Sequence, residues 1–228
     1  MHIAALNESI MLVLKFRISG SLRFLSHAQM LRVFQRACVR AGLKIQYSQG
    51  FNPRPRLSLP LPRPVGVASE DELLSIRVHQ RTGAQEHSLI AERAHRNLSA
   101  QLPEGCELLS VNVAKANTSF QPCSATYVLA VRKEYLNEEL KTTIKHLLAS
   151  ENLNIRRYID KKNPKIKNVD VRGFLKSIEL DGNSIIVECK ISSAGSIRVE
   201  EILKLLQLDD VEKLALPIRR TNVQWQKV

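Results

Sequence analysis

The chain has 228 residues, of which 44% are hydrophobic and 25% charged, and both shares are typical of globular proteins. Its net charge of +12 and its pI near 9.8 favour a polyanionic partner. No run approaches the roughly 20 apolar residues of a membrane span, and the leading residues lack the pattern of a signal peptide, so we expect a cytoplasmic protein that does not contact a membrane.

The first half of the chain has the pattern of a split βαβ unit. Residues 12–18 alternate apolar and basic side chains from Leu14 onward, which predicts a strand with one buried and one cationic face. Ser26 is a suitable N-cap for a helix that runs to Gly42. The predicted elements are a strand at 12–18, a helix at 26–42, strands at 43–48 and 73–79, a helix at 85–102 and a strand at 106–113. This order is ferredoxin-like.

The second half repeats the pattern after a segment without periodicity at 117–124, which we interpret as a linker. Asp181 and Gly182 predict a tight hairpin turn, and a short helical turn is expected near Val171. The predicted elements are strands at 126–131, 153–159, 175–180, 184–191 and 216–225, with helices at 137–149 and 197–208. The sequence therefore predicts an α+β fold of two tandem ferredoxin-like (βαββαβ) units, residues 1–116 and 125–228.

The positive charge is concentrated near the amino terminus. Residues 1–64 hold ten Lys and Arg residues against Glu8 alone, a local excess of +9, whereas residues 65–117 carry −2 and residues 118–228 carry +5. Three arginines follow each other at steps of four along the first predicted helix, without acidic residues four positions away. Such an asymmetry is typical of a binding surface.

A proline-rich segment, residues 50–66, lies between the second and third predicted strands, and we call it the arm. Five prolines within twelve residues restrict its backbone, and Arg54 precedes Pro55, which favours an extended conformation. Phe51 could stack on an unpaired base. We expect the arm and the first helix to form one phosphate-binding surface for single-stranded or structured RNA. The predicted contacts are Arg32, Arg36, Arg40, Phe51, Asn52, Arg54, Arg56 and Arg63.

Each of these features has a structural alternative. Phe51 and the leucines of the arm could pack on the first domain, and the arginines of the arm and helix could be solvated surface charges. A second cationic segment either provides another set of contacts to the phosphates of RNA or is a solvated loop. Its basic residues are Arg156, Arg157, Lys161, Lys162, Lys165 and Lys167.

The four cysteines are scattered along the chain without the close pairs that a zinc site needs. We therefore expect reduced and mostly buried thiols, no metal site and no cofactor. The cysteines are Cys38, Cys106, Cys123 and Cys189.

Several runs resemble the radical-SAM-associated (radical-SAM-linked) family of bacterial proteins, a domain of unknown function. The most specific run is Tyr-Ser-Gln-Gly-Phe-Asn-Pro at 47–53, and Arg-Phe-Leu-Ser-His at 23–27 and Pro-Val-Gly-Val at 64–67 accompany it. The resemblance implies a radical SAM partner and a role in RNA modification or processing. The chain lacks the Cys-x3-Cys-x2-Cys motif, so it does not itself hold the radical SAM cluster.

The sequence departs from this family where acidic residues are usual. Ala28 and Gln29 stand in place of the common Leu-Asp pair, and Ser75 and Arg77 stand where Asp and Glu are common. A metal site shared with the family is therefore not predicted.

Three function hypotheses follow. The first is a non-catalytic RNA-binding adaptor that works with a radical SAM enzyme or a ribonuclease. The second is a protein-docking domain of a radical SAM enzyme without RNA contact. The third is a metal-free endoribonuclease with His27 as the general base, although His27 has no carboxylate partner nearby in the sequence.

Overall fold

The computed structural model describes residues 9–79, 86–158 and 166–228. The chain divides into two compact units, Met1–Gln121 with Gln226–Val228 and Pro122–Trp225. Strands and helices alternate in both units, so the protein belongs to the α+β class. In the described part of the chain, no helix has the length and apolar character needed to cross a membrane.

In the first unit, an antiparallel sheet packs against two helices. Its central strand β1 pairs with β3 on one side and with β4 on the other, and the short strand β2 pairs with part of β3 on the side opposite β1. The elements are β1 (Ser9–Ile18), α1 (His27–Arg40), β2 (Leu57–Ser58), β3 (Ala68–His79), α2 (His87–Ser99) and β4 (Cys106–Lys115).

One face of this sheet forms the hydrophobic core. Alternate residues of β1, including Leu12, Leu14 and Phe16, point to the helices because successive side chains of a strand face opposite ways. Phe16 meets Phe34 of α1 edge to face, with ring centroids 4.6 Å apart. Both helices therefore lie over the same face of the sheet.

Local signals define α1 as the sequence predicts. The side chain of Ser26 accepts a hydrogen bond from the backbone N–H of Gln29, whose side chain accepts one from the backbone N–H of Ser26, which completes a capping box. Met30, Phe34, Ala37 and Cys38 form the buried stripe. Gly42, with φ of +74°, follows the helix as predicted.

The predicted strand at 43–48 is wrong as an element, because this segment makes only isolated bridges through Ile45 and Tyr47. The continuous pairing with β3 comes instead from β2, inside the arm. Prolines at 53 and 55 provide no N–H for a longer ladder opposite residues 46–48. Residues 43–48 and β2 therefore both lie along β3 on the side opposite β1.

The second unit contains an antiparallel sheet in the order β10-β5-β9-β8 and a separate two-stranded sheet of β6 and β7. Asp181 pairs with Ser184 across Gly182, which confirms the predicted hairpin. The elements are β5 (Phe120–Ala130), α3 (Glu138–Ala149), β6 (Asn154–Tyr158), β7 (Ile166–Asp170), β8 (Leu175–Asp181), β9 (Ser184–Lys190), α4 (Val199–Leu205) and β10 (Arg219–Lys227).

Two expectations for this part of the chain need correction. Strand β5 begins at Phe120, so much of the segment predicted to be an irregular linker at 117–124 is strand. The strand predicted at 153–159 exists as β6, but it pairs with β7 in the small sheet, and β8 lies beside β9. Alternation of side chains identifies a strand without identifying its partner. The expected turn near Val171 is a single helical turn at Arg172–Phe174.

We predict that Phe34→Ala lowers the free energy of unfolding by about 3–5 kcal/mol, because it removes a wholly buried ring and leaves a cavity against Phe16. Urea unfolding measures this change. The control Val39→Ala lies on the exposed side of the same helix and should change stability by less than about 0.5 kcal/mol. Equal effects of the two substitutions would contradict the assignment of the core.

A buried ion pair in the second unit predicts a pH dependence. Burial raises the pKa of Glu201, but hydrogen bonds from Arg157 and from the backbone N–H of Arg198 outweigh it and leave the pKa lowered. The pair therefore stabilises the fold above the ordinary glutamate pKa of about 4.3, and this contribution is lost as the pH falls through the lowered value.

Glu201→Gln should accordingly cost about 3 kcal/mol at neutral pH, because the Arg157 guanidinium loses its counter-charge. The difference from wild type should shrink as the pH approaches 3, as measured by urea unfolding across pH. Glu200→Gln is the matched control, since Glu200 is largely exposed and pairs weakly with Arg198. A deficit that stays constant across this pH range would refute the role of the Glu201 charge.

Candidate nucleic-acid interface

The first part of the arm is a backbone-paired hairpin. The backbone N–H of Ser48 donates to the carbonyl of Arg54 at 2.8 Å, and the backbone N–H of Arg54 donates to the hydroxyl of Ser48 at 2.9 Å. At its base, the backbone N–H of Arg56 donates to the carbonyl of Gln46 at 2.8 Å, and Tyr47 bridges to Pro55. These bonds fix residues 46–56, so the tip at 49–53 projects with a defined backbone.

Phe51 lies at this tip with its ring entirely in solvent, at 106% relative exposure. Gly50 adopts φ of +118°, a conformation that side chains disfavour, and so makes the turn. Asn52 and Arg54 are exposed beside the ring. The alternative that Phe51 packs on the first domain is therefore wrong, although it holds for the leucines Leu57 and Leu59, which contact the core.

Arg63 organises the return of the arm. The two terminal nitrogens of its guanidinium lie within hydrogen-bond distance of five backbone carbonyls, three of which share the two hydrogens of Nη1. These acceptors belong to Leu22, Arg23, Leu25, Pro64 and Val67. We predicted Arg63 as an RNA contact, but the structure engages its side chain in holding the arm against the loop before α1.

The arginines of α1 differ in their surroundings. Arg40 donates to the side-chain and backbone oxygens of Gln101, at 3.0 and 2.7 Å. Arg32 and Arg36 are exposed, and within the described residues their guanidinium groups have no hydrogen-bond or ion-pair partner. Two of the three helix arginines are therefore available to an anionic ligand.

Strand alternation separates Arg56 from these helix arginines. Leu57 opposes Ile76 and Ser58 opposes Ser75, so Leu57 faces the core, whereas Ser58 faces the other side of the sheet. Arg56, two residues before Ser58, also faces away from the helices, and its side chain lines a cavity there. The six arginines of α1 and the arm therefore do not form one continuous surface.

Two further residues lie at this part of the molecule, and the sequence did not lead us to predict a site at either of them. Arg77 shares the Arg56 side of the sheet, and the period-two pattern of β3 already places it opposite the apolar side chains of that strand. Glu72 lies on the apolar face, only 4% exposed, in phase with Leu74 and Ile76. A carboxylate at an apolar position of a strand is itself a detectable signal, since such groups are rarely buried without partners.

His27 lies beside this buried glutamate. His27, Arg63 and Glu72 line a cavity of about 10 Å³, which is the space of a single water. A phosphodiester does not fit in this cavity. The geometry therefore gives the ribonuclease hypothesis no substrate-sized space at the cavity that His27 lines.

The second cationic segment is only partly described. Lys161, Lys162 and Lys165 lie outside the described residues. Beside them, Arg157 is bound to Glu201, so its guanidinium is engaged within the fold. Arg156 is exposed.

Three of the four cysteines are buried thiols. Burial raises the pKa of Cys38, Cys106 and Cys189 to about 12, so these thiols remain protonated and do not act as thiolate ligands or nucleophiles at neutral pH. Among the residues that the structure describes, no three His, Cys, Asp or Glu side chains are arranged to hold a metal ion.

Comparison with known proteins defines the family. Residues 11–204 match the family described as "Uncharacterized protein conserved in bacteria (DUF2344)", and the chain belongs to this family. No curated protein matches the sequence. The crystal structure of an unknown protein from Galdieria sulphuraria aligns over 97% of this chain and 98% of its own, with 9% sequence identity and a TM-score of 0.23.

We predict that Arg63→Lys loosens the arm, because a single ammonium cannot donate to five separate carbonyls. Hydrogen exchange at the backbone N–H of Gly66, which donates to Arg23 at 2.8 Å, should accelerate about tenfold or more. Arg54→Lys is the control, since the Arg54 side chain has no partner among the described residues. Unchanged protection in Arg63→Lys would show that the arm is held by other contacts.

Proposed function

We propose that this protein is a non-catalytic adaptor that binds single-stranded or looped RNA through the tip of the arm. Phe51 provides the stacking surface, Asn52 and Arg54 provide polar contacts, and Arg32 and Arg36 of α1 provide further phosphate contacts. The observation that carries the proposal is the complete exposure of Phe51 on a hairpin with a fixed backbone.

An exposed aromatic ring on a rigid tip suits base stacking. Leaving a phenylalanine side chain in water rather than in a core forgoes about 1.5–3 kcal/mol, so its exposure calls for a partner. Stacking on a base is worth about 1–3 kcal/mol and tolerates any sequence, because every base has a π face. The paired backbone at 46–56 reduces the ordering cost of binding.

The charges around the tip suit a polyanion. Within the described residues, the guanidinium groups of Arg54, Arg32 and Arg36 are exposed and have no acidic partner. The excess of +9 over residues 1–64 supports a general attraction for phosphates.

The proposed partner is a radical SAM protein or a ribonuclease that acts on the bound RNA. The resemblance of residues 23–27, 47–53 and 64–67 to the radical-SAM-associated family supports this pairing, and the absent cluster motif assigns the radical chemistry to the partner.

We also propose that both units are ferredoxin-like. The supporting observation is the strand order. In the first unit, the first and third strands of the βαββαβ order, β1 and β3, lie between β4 and β2. In the second unit, the corresponding strands β5 and β9 lie between β10 and β8.

A second candidate function is protein docking, in which Phe51 inserts into a pocket of the partner enzyme. The exposure of Phe51 favours this function as well, because aromatic side chains are frequent anchors of protein interfaces. Salt dependence separates the two, since RNA binding releases counterions from phosphates.

We predict that the protein binds short single-stranded RNA with a slope of log K against log salt near −2, from about three phosphate contacts at roughly −0.7 each. Binding should therefore weaken by about 20-fold between about 50 and about 200 mM salt. Arg54→Gln should reduce the slope by about 0.7. Phe51→Ala should weaken binding by about 1–3 kcal/mol without changing the slope, because a ring contributes no counterion release. Fluorescence anisotropy across salt concentrations measures both quantities.

The control for this experiment is Arg93→Gln combined with Arg96→Gln, which removes two exposed charges from α2. This double variant should retain the slope and nearly all of the affinity. If Phe51→Ala and Arg54→Gln bind RNA as wild type does, the arm is not the RNA contact. Loss of partner binding in Phe51→Ala at all salt concentrations would then favour protein docking.

A further inference from the structure

A cationic cavity lies on the face of the first sheet that is turned away from α1 and α2. Its volume is about 330 Å³, which lies within the range of small-molecule sites. The cavity is open to solvent on one side and is lined by β1 and β3, by the arm with β2, and by the segment that enters β5. The residues that matter here are Arg56, Ser58, Ser75, Arg77, Thr118 and Phe120.

Two arginines share this cavity without a counter-charge. Arg56 and Arg77 are held side by side because the backbone N–H of Arg77 donates to the carbonyl of Arg56 at 3.0 Å. Among the described residues, no acidic side chain lines the cavity, and neither guanidinium has a hydrogen-bond partner. Farther along the same face, Asp71 already pairs with Lys15. Two neighbouring permanent cations without an acid favour an anion between them.

Hydroxyl groups surround the arginines. Ser58 and Ser75 are direct partners in the pairing of β2 with β3, so their side chains stand next to each other on the cavity side. Thr118, in the segment that enters β5, also lines the cavity and is 9% exposed. Guanidinium forks and hydroxyls together form the donor set that binds the oxygens of a phosphate group.

We propose that this cavity binds the phosphate group of a nucleotide, with Arg56 and Arg77 as the charged contacts and Ser58, Ser75 and Thr118 as hydroxyl donors. The cavity has more room than a phosphate ion needs, and Phe120 contributes an aromatic wall on which a base can lie. This site is distinct from the tip of the arm, because it contains neither Phe51 nor the helix arginines. The nucleotide is either free in solution or the phosphorylated end of an RNA strand.

Binding to the cavity is tested without RNA first. Isothermal titration calorimetry with inorganic phosphate and with adenosine 5′-monophosphate, at matched ionic strength in chloride, should show binding of both to wild type. Arg77→Gln should weaken both by about 10- to 100-fold, as expected for loss of a hydrogen-bonded charge, and Arg77→Lys should retain part of the affinity. Phe120→Leu should weaken the nucleotide alone, since inorganic phosphate has no ring to stack.

Two controls locate the effect. Arg96→Gln removes an exposed charge from α2, and Phe51→Ala alters the tip of the arm, so neither should change the affinity for adenosine 5′-monophosphate. Amide NMR shifts on addition of phosphate should cluster at Ser58, Ser75, Arg77 and Thr118. Because binding to the cavity should depend on Arg77 and not on Phe51, failure of the proposed RNA contact and failure of the cavity are distinguishable.

The source of the phosphate is distinguished by short single-stranded RNA with a 5′-phosphate or a 5′-hydroxyl. Tighter binding of the phosphorylated strand that disappears in Arg77→Gln identifies an RNA end as the ligand. Equal binding of the two strands, with adenosine 5′-monophosphate still dependent on Arg77, identifies a free nucleotide. If neither phosphate nor the monophosphate binds in an Arg77-dependent way, the proposal is overturned.

Discussion

Alternation of side chains along β1 and β3 divides the first unit into two chemically different faces. Leu12, Leu14 and Ile76 point to the helices and form the core, whereas Arg77 and Ser75 point to the opposite side. A shift of one residue in the pairing would place Arg77 in the core, so burial of the apolar set fixes the register. The position of the cationic cavity thus depends on the same pairing that builds the core.

The parts of the fold that local signals define could be predicted from the sequence. The capping box at Ser26, the stripe through Phe34 and the glycine after α1 act within a few residues of each other, and the structure has all three. Strand partners depend on contacts between distant residues, and there the prediction failed. Residues 43–48 alternate like a strand, yet the continuous pairing with β3 comes from the arm. Strand β6 was correctly located but pairs with β7.

In the candidate site, too, local features could be predicted from the sequence, whereas contacts between distant residues could not. The sequence indicates a surplus of arginines, but it does not show which of them the fold engages. Arg40 binds Gln101, and Arg63 binds the carbonyls of Leu22, Arg23 and Leu25. These acceptors come into place only when segments far apart in sequence meet. Arg54 lies between prolines at a hairpin tip, where backbone geometry alone keeps a side chain in solvent, and so its exposure was predictable. Whether a guanidinium group is bound within the fold depends on tertiary contacts, which the local sequence does not show.

The arm also restricts how any partner can approach the sheet. An unpaired edge strand normally offers its N–H and C=O groups to another chain, which adds a strand there. Along residues 75–79 of β3, on the side opposite β1, these groups are already used, because Lys44, Gln46 and Arg56 bond with the backbone of Arg77 and His79, and β2 pairs with Ser75 and Ile76. Recognition along this part of β3 must therefore use side chains. The projecting side chains are Phe51 and Arg54 at the tip, with Arg32 and Arg36 on one side of the sheet and Arg56 and Arg77 on the other. An RNA strand bound at both proposed contacts, the tip and the cavity, would follow the arm between Phe51 and Arg56, and the paired backbone of the hairpin would then set the distance that the strand spans.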